Sequence, residues 1–359
     1  MIRYERRWET RRGGSRRDQT RDKRPAERPE APAQDRPKPG YYGLPAIHAA
    51  QWDWLIVAYF FLGGIAGGSY ALASIADLLG GDGNRRIARA GRYLALATLL
   101  PSPVLLILDL GRPERFHHML RVVKIRSPLS VGTWTLLLFS AFCGLSAVAQ
   151  AAHDGLLGRD NVAARLGRRL PARALGAAGL APALFLSGYT GTLLGATAVP
   201  FWGRNARYLG PLFLASALAN SSAALALILA AQPRKDDQAL ARLERFDTLA
   251  QLAELGLLAI TQARLGRTLD RPLRQGKTGR AYQIGVLGGG IGVPLGLRLL
   301  HRLRGRHPGR AATALGALLA LAGGVLFRYV MVYGGKASAD DPQATFDYAS
   351  KDSEGNGAR

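Results

Sequence analysis

Cysteine is almost absent, with Cys143 alone among 359 residues. One thiolate can neither ligate an iron–sulfur cluster nor complete a CxxC zinc site, so neither centre is expected in this chain. Histidine is also scarce. His48, His117, His118, His153, His301 and His307 all fall in connectors or at the ends of apolar segments. A haem between helices needs axial histidines well inside such segments, so no haem is expected. Acidic residues are few: 25 Asp and Glu face 48 Lys and Arg, a formal net charge of +23, yet the mean hydropathy is +0.02. Strong charge and positive hydropathy coexist only if the two are segregated along the sequence.

They are segregated. Residues 1–45 are crowded with Arg and Pro and read as a disordered basic tail, solvated near anionic head groups, with nucleic acid not an expected partner. No apolar core follows the start closely enough for a secretory leader. Residues 336–359 form a polar C-terminal tail. Between them, over 46–335, apolar runs alternate with Arg-rich connectors at about 53–79, 91–110, 131–152, 173–197, 208–231, 246–265, 281–300 and 311–334. A run of ~20 residues is what a helix needs to cross a hydrocarbon core of ~30 Å. The expected fold is all-α: a polytopic membrane protein of about eight transmembrane helices, arranged as two four-helix bundles. Pro182 predicts a kink in the fourth run. Gln251, Glu254 and Gln262 make the sixth the least apolar, and Gly288-Gly289-Gly290 with Pro294 predicts that the seventh is bent or locally unwound. Trp52, Trp54, Tyr59, Trp134 and Trp202 fit an interfacial aromatic belt.

Ionisable groups at membrane depth are expensive and mark sites or relays by default. Asp77 and Asp109 sit near run ends, where each can also simply reach water. Glu254 and Arg328 lie deeper and must be paired or face a wet cavity, as a structural ion pair or as members of a proton relay with Asp77. Gly63-Gly64 and Gly67-Gly68 in the first run form a small-xxx-small pattern that predicts close helix packing.

Several strings then become specific together. They are Tyr42-Gly43-Leu44-Pro45, Trp52-Asp53-Trp54 and Phe61-Leu62-Gly63-Gly64-Ile65-Ala66-Gly67-Gly68; the connector Leu108-Asp109-Leu110-Gly111-Arg112-Pro113-Glu114-Arg115-Phe116 with Ser127 to Trp134; Gly188-Tyr189-Thr190-Gly191-Thr192-Leu193-Leu194; and Pro211-Leu212-Phe213. In order and spacing they resemble the NrfD/PsrC family, the membrane subunits of polysulfide-reductase-like complexes, over about residues 42–334. The resemblance implies a membrane anchor that exchanges electrons between a partner iron–sulfur subunit and a membrane quinone, either menaquinone or ubiquinone, and is not catalytic alone. It implies two partners, a four-cluster ferredoxin-like iron–sulfur subunit and a molybdopterin catalytic subunit. Tyr189 matches the family's quinone-binding tyrosine. On the first helix, Tyr59 stands where the resemblance leads to histidine and Ile56 where it leads to asparagine. The implied quinone site is therefore Tyr189 and Tyr59, with Asp109 and Arg112 assisting. The rival readings are a secondary transporter or ion channel built on the Glu254–Arg328 region, and an anchor with an inactive quinone site.

The expected location is the inner (cytoplasmic) membrane. Lys and Arg are nearly balanced between the connectors on the two faces, and the basic tail tips the charge argument towards cytoplasmic termini.

Overall fold

The computed structural model describes residues 47, 50–158, 161–232, 237–305 and 309–356. The basic stretch over 1–45, His48 and His307 lie outside the described residues. Among those residues all regular structure is helical. We number the long helices α1 Trp54–Leu79, α2 Asn84–Leu108, α3 Pro128–His153, α4 Ala172–Gly195 and α5 Ala206–Ala231. The series continues with α6 Asp237–Leu269, α7 Gly276–Leu303, α8 Arg310–Ala339 and α9 Pro342–Asn356.

Seven of these helices, α1–α5, α7 and α8, are long and apolar enough to cross a membrane. The expected eighth, α6, is a 33-residue helix with a turn-like break at Gly266 and is not apolar enough for that set. Its sidedness shows where it belongs. Asp247, Gln251 and Glu254 are buried, at 2%, 1% and 4% exposure, whereas Leu249, Leu252 and Ile260 point outwards. A helix polar inside and apolar outside is suited to lipid rather than to water, because in a membrane the charges must face protein. The seventh run does not break. Ala281–Gly292 widens into a π-helix, one residue more per hydrogen-bonded ring, and passes directly into regular helix at Val293. Pro182 sits within a continuous α4. The polar tail is not featureless, since Pro342–Asn356 forms α9.

The helices pack as two groups of four. In the first, α1 lies on α2 and α4, and α3 packs on α4; in the second, α5 lies on α6 and α8, and α7 packs on α8. The groups meet where α1 and α4 touch α5. Glycine makes that seam possible. A Cβ at Gly67 would overlap the Ser187 hydroxyl and lie 2.5 Å from the Ala183 carbonyl of α4. One at Gly68 would overlap the Ser221 hydroxyl and lie 3.0 Å from the Ala217 carbonyl of α5. So α1 is wedged between both bundles at backbone contact, and Ser221 donates across the seam to the Ile65 carbonyl at 3.2 Å. The first group is also tied at its far end. There Arg92 reaches Asp77 at 2.6 Å and Gln150 at 2.7 Å, joining α1, α2 and α3.

Trp202 departs from the expected belt. It is fully buried, donates to the Met331 carbonyl at 2.7 Å and packs on Trp52 at 5.5 Å. Its indole closes the joint between the α4–α5 connector and α8, whereas Trp54 is 66% exposed as a belt residue should be.

The seam makes a measurable statement. Gly67→Ala should lower the thermal unfolding midpoint of the purified protein, because overpacking costs ~1–3 kcal/mol and exceeds the ~1 kcal/mol gained in helix propensity. Gly144→Ala, where an added Cβ meets nothing within 4 Å, should leave the midpoint equal or higher. Equal midpoints for Gly67→Ala and wild type would mean that α1 is not held at backbone contact.

Candidate functional site

The face on which α1 begins also receives the end of α4. Tyr59 lies about 8 Å of helical rise inside α1, and Tyr189 about 9 Å before the end of α4, so their rings share a depth. The structure brings them together. Both are buried, at 4% and 5% exposure, on the neighbouring helices α1 and α4. The Tyr189 ring stacks on Phe185 at 5.7 Å and lies flat on Gly132 of α3, where any Cβ would overlap it. Its hydroxyl donates to the Pro128 carbonyl at 2.6 Å. Pro128 occupies the first turn of α3, with Ser127 as its N-cap. The string Ser127 to Trp134 thus shapes the seat of the tyrosine. Tyr59 differs: among the described residues its hydroxyl has no hydrogen-bond partner. A phenol that no protein group holds can donate to an acceptor such as a quinone carbonyl.

The other two expected members sit further out. Asp109 is half-buried just past α2, where its carboxylate faces the Asp53 amide at the start of α1. Burial raises its pKa above the ordinary carboxylate value; the Asp53 amide opposes that rise, the Asp53 carboxylate adds to it, and Lys336 opposes it. Lys336 of α8 ties the same corner, donating to the Trp52 carbonyl at 2.9 Å and to Asp53 at 3.2 Å. Asp109 therefore belongs to the rim of the tyrosine region. Arg112 lies on the exposed connector leading to the 3-10 helix Pro113–Leu120 and is not drawn to the tyrosines.

The three residues considered for a relay divide between the bundles. Glu254 and Arg328 both lie beside Ser216 of α5, whose hydroxyl accepts from Arg328 Nη1 at 2.6 Å and faces the Glu254 carboxylate. Arg328 is 1% exposed, donates also to the Gly324 carbonyl at 3.2 Å, and lies over Phe213 and Phe327. Asp77 is elsewhere, paired with Arg92 near the opposite face of the first bundle. Its place in a common relay is therefore not supported by the geometry: a direct, partly buried ion pair accounts for it. Three members of the Glu254 network were not singled out from the sequence, namely Ser216, Asp247 and Arg298. The signal existed in the spacing of Asp247, Gln251 and Glu254, one face of a helix at i, i+4 and i+7.

Comparison with known proteins identifies the family. Residues 46–339 match the family profile described as polysulphide reductase, NrfD. A selenate reductase subunit of Mesobacillus selenatarsenatis is 29% identical over 210 residues, 50% of this protein and 48% of that subunit. A polysulfide reductase subunit of Wolinella succinogenes is 26% identical over 305 residues, 79% of this protein and 94% of that one. The match to the selenate reductase subunit thus spans about half of its length.

The Ser216 node predicts a stability signature. Arg328→Met should destabilise the protein by ~3–5 kcal/mol because it leaves a buried carboxylate without a counter-charge. Adding Glu254→Gln to that variant should restore part of the loss, read as a rise in the thermal midpoint in detergent. Additive losses in the double variant would mean that the two side chains are not coupled.

Proposed function

This chain belongs to the polysulphide reductase NrfD family, and we propose that it is the quinone-reactive membrane anchor of a multi-subunit oxidoreductase. The supporting observation is the pair Tyr59 and Tyr189 at one depth, the first with an unpartnered hydroxyl and the second held by Pro128. The partners in this reading are a four-cluster ferredoxin-like iron–sulfur subunit, docked on the face that carries the tyrosines, and a molybdopterin catalytic subunit. Relatives named as subunits of polysulfide and selenate reductases support that division of labour. A transporter built on the Glu254–Arg328 region is not favoured by the family.

A bound menaquinone or ubiquinone supplies two-electron, two-proton carrier chemistry. The residues of this protein bind, orient and protonate. Tyr59 donates its free hydroxyl hydrogen to one carbonyl oxygen of the head group. Tyr189 faces the same space, and rotation of its C–O bond moves its hydrogen from the Pro128 carbonyl towards a ligand oxygen. A donor aimed where negative charge develops stabilises the reduced oxygen most in a site that excludes water, and Phe185 and Phe60 supply that exclusion. Asp109, with its raised pKa, sits at the rim as the group able to pass protons between water and the tyrosines. The exposed Arg112 contributes positive field on the connector outside.

In the assembled complex, Tyr59→Phe and Tyr189→Phe should each lower quinone-dependent turnover at least about tenfold, as expected for loss of a positioned proton donor. Subunit stoichiometry should stay unchanged. Turnover equal to wild type in either variant removes that residue from the site.

We further propose that the protein resides in the cytoplasmic membrane with both termini cytoplasmic, as the basic N-terminal residues favour. A fluorescent reporter fused after Arg359 should then fluoresce, and an alkaline phosphatase fusion there should be inactive. The reverse pattern inverts the orientation.

A further inference from the structure

Between the two bundles, on the face opposite the tyrosines, the helices leave a cavity of about 800 Å³ that the quinone reading does not use. One wall is α2, through Arg86, Arg89, Leu94 and Ala97; the other is the end of α5, through Ile228 and Gln232. The four α2 residues fall on one helical face, at i, i+3, i+8 and i+11. The volume lies in the range of ~300–1,000 Å³ that small-molecule sites occupy.

The groove is graded in polarity along its length. At its outer end stand Arg86 and Arg89, and Arg310 of α8 donates there to the Gln232 carbonyl at 3.1 Å. Arg89 gives Nε to Asp154 at 2.8 Å, yet its side chain remains 58% exposed. Asp154 is also held by Tyr93 at 2.6 Å and by Gln150 at 3.1 Å. Among the described residues that line the groove, none is acidic. Further in, the lining turns to Leu94, Ala97 and Ile228, and Ala90 belongs to one apolar cluster with Leu225 and Leu229 of α5. Arg86 to Ala97 is about 16 Å of helical rise, roughly one leaflet of a hydrocarbon core of ~30 Å. A ligand that matches this gradient is anionic at the membrane surface and apolar through one leaflet. A free anion would leave the apolar track empty, and a quinone would bring the arginines no charge.

We propose that this groove holds one anionic phospholipid, with its phosphate on Arg86 and Arg89 and an acyl chain along Leu94, Ala97 and Ile228. Basic pockets between membrane helices suit such head groups, and the long arginine side chains reach the surface while their stems line the groove. Each wall belongs to a different bundle, so the bound lipid bridges the two outside the glycine seam. The groove is built by α2, α5 and the start of α8, and it stands whether or not a quinone binds at Tyr189.

The test titrates the full-length protein in neutral detergent with phosphatidylglycerol and reads lipid-bound protein by native mass spectrometry. One phosphatidylglycerol should bind more tightly than any further copies, and phosphatidylcholine with the same chains should bind there more weakly. Arg86→Gln should weaken the tight site about fivefold, as for one cationic side chain lost from an anionic head group. Arg86→Lys, which keeps the charge, should retain the affinity. Arg302→Gln, at an exposed arginine near the end of α7 on the same face, should leave it unchanged and so controls for general attraction. Ala97→Trp, in the chain track and away from the arginines, should also weaken binding. Equal affinity for the two lipids, or wild-type affinity in Arg86→Gln or Ala97→Trp, would overturn the proposal. Full competition by inorganic phosphate would reduce the site to a plain anion site. Loss of the tight lipid in the assembled complex would assign the groove to a partner chain, and either result overturns the lipid assignment.

Discussion

The close approach of α1 to α4 on one side and α5 on the other is the constraint from which the rest of the architecture follows. Lipid offers no hydrophobic gain for bringing two apolar helices together, so contact has to come from backbone-level packing. Gly67 and Gly68 provide it towards the two bundles in turn. Once α1 is wedged at the seam, its first turns carry Tyr59 to the depth of Tyr189, and its middle leaves Gly64 beside the Arg328 guanidinium. The tyrosine pair and the Ser216 node are therefore both referenced to one helix.

Charge at membrane depth is handled in two ways by the two bundles. The first keeps its ionisable groups near the opposite face, where Asp77, Arg92, Gln150, Asp154 and Arg89 satisfy one another with direct bonds. Such a cluster holds helix ends together. The second buries Asp247 and Glu254 of α6 and Arg328 of α8 well inside their helices. The Asp77–Arg92 pair is thus part of the scaffold of the first bundle.

The tyrosine region combines a rigid member with a free one. Tyr189 is fixed by Gly132 beneath its ring, Phe185 beside it and the Pro128 carbonyl at its hydroxyl, while Tyr59 keeps its donor available. In the proposed function the first sets geometry and the second responds to the ligand. Asp109 and Lys336 lie against the start of α1, so this corner is built from the ends of α1, α2 and α8 rather than from one loop.

Much of this was legible in the sequence itself. Helix number, the weak apolarity of α6, an irregular seventh run and the close packing of α1 all follow from hydrophobic length and from the places of glycine, proline and charge. These are local properties, and a membrane makes them decisive because every backbone group must be bonded within its own segment. The candidate tyrosines came from the resemblance to the NrfD/PsrC family, and distance from a helix end gave only their common depth. What spacing could not decide was which buried polar groups meet. Asp77 and Glu254 look alike as acids in apolar runs, yet one faces Arg92 across a helix pair and the other lies with Arg328 beside Ser216, an ordinary serine in sequence. Trp202 reads as a surface aromatic and is buried on Met331. Partners of that kind are chosen by the rotation of each helix about its axis and by its neighbour, and only the packed tertiary structure determines either.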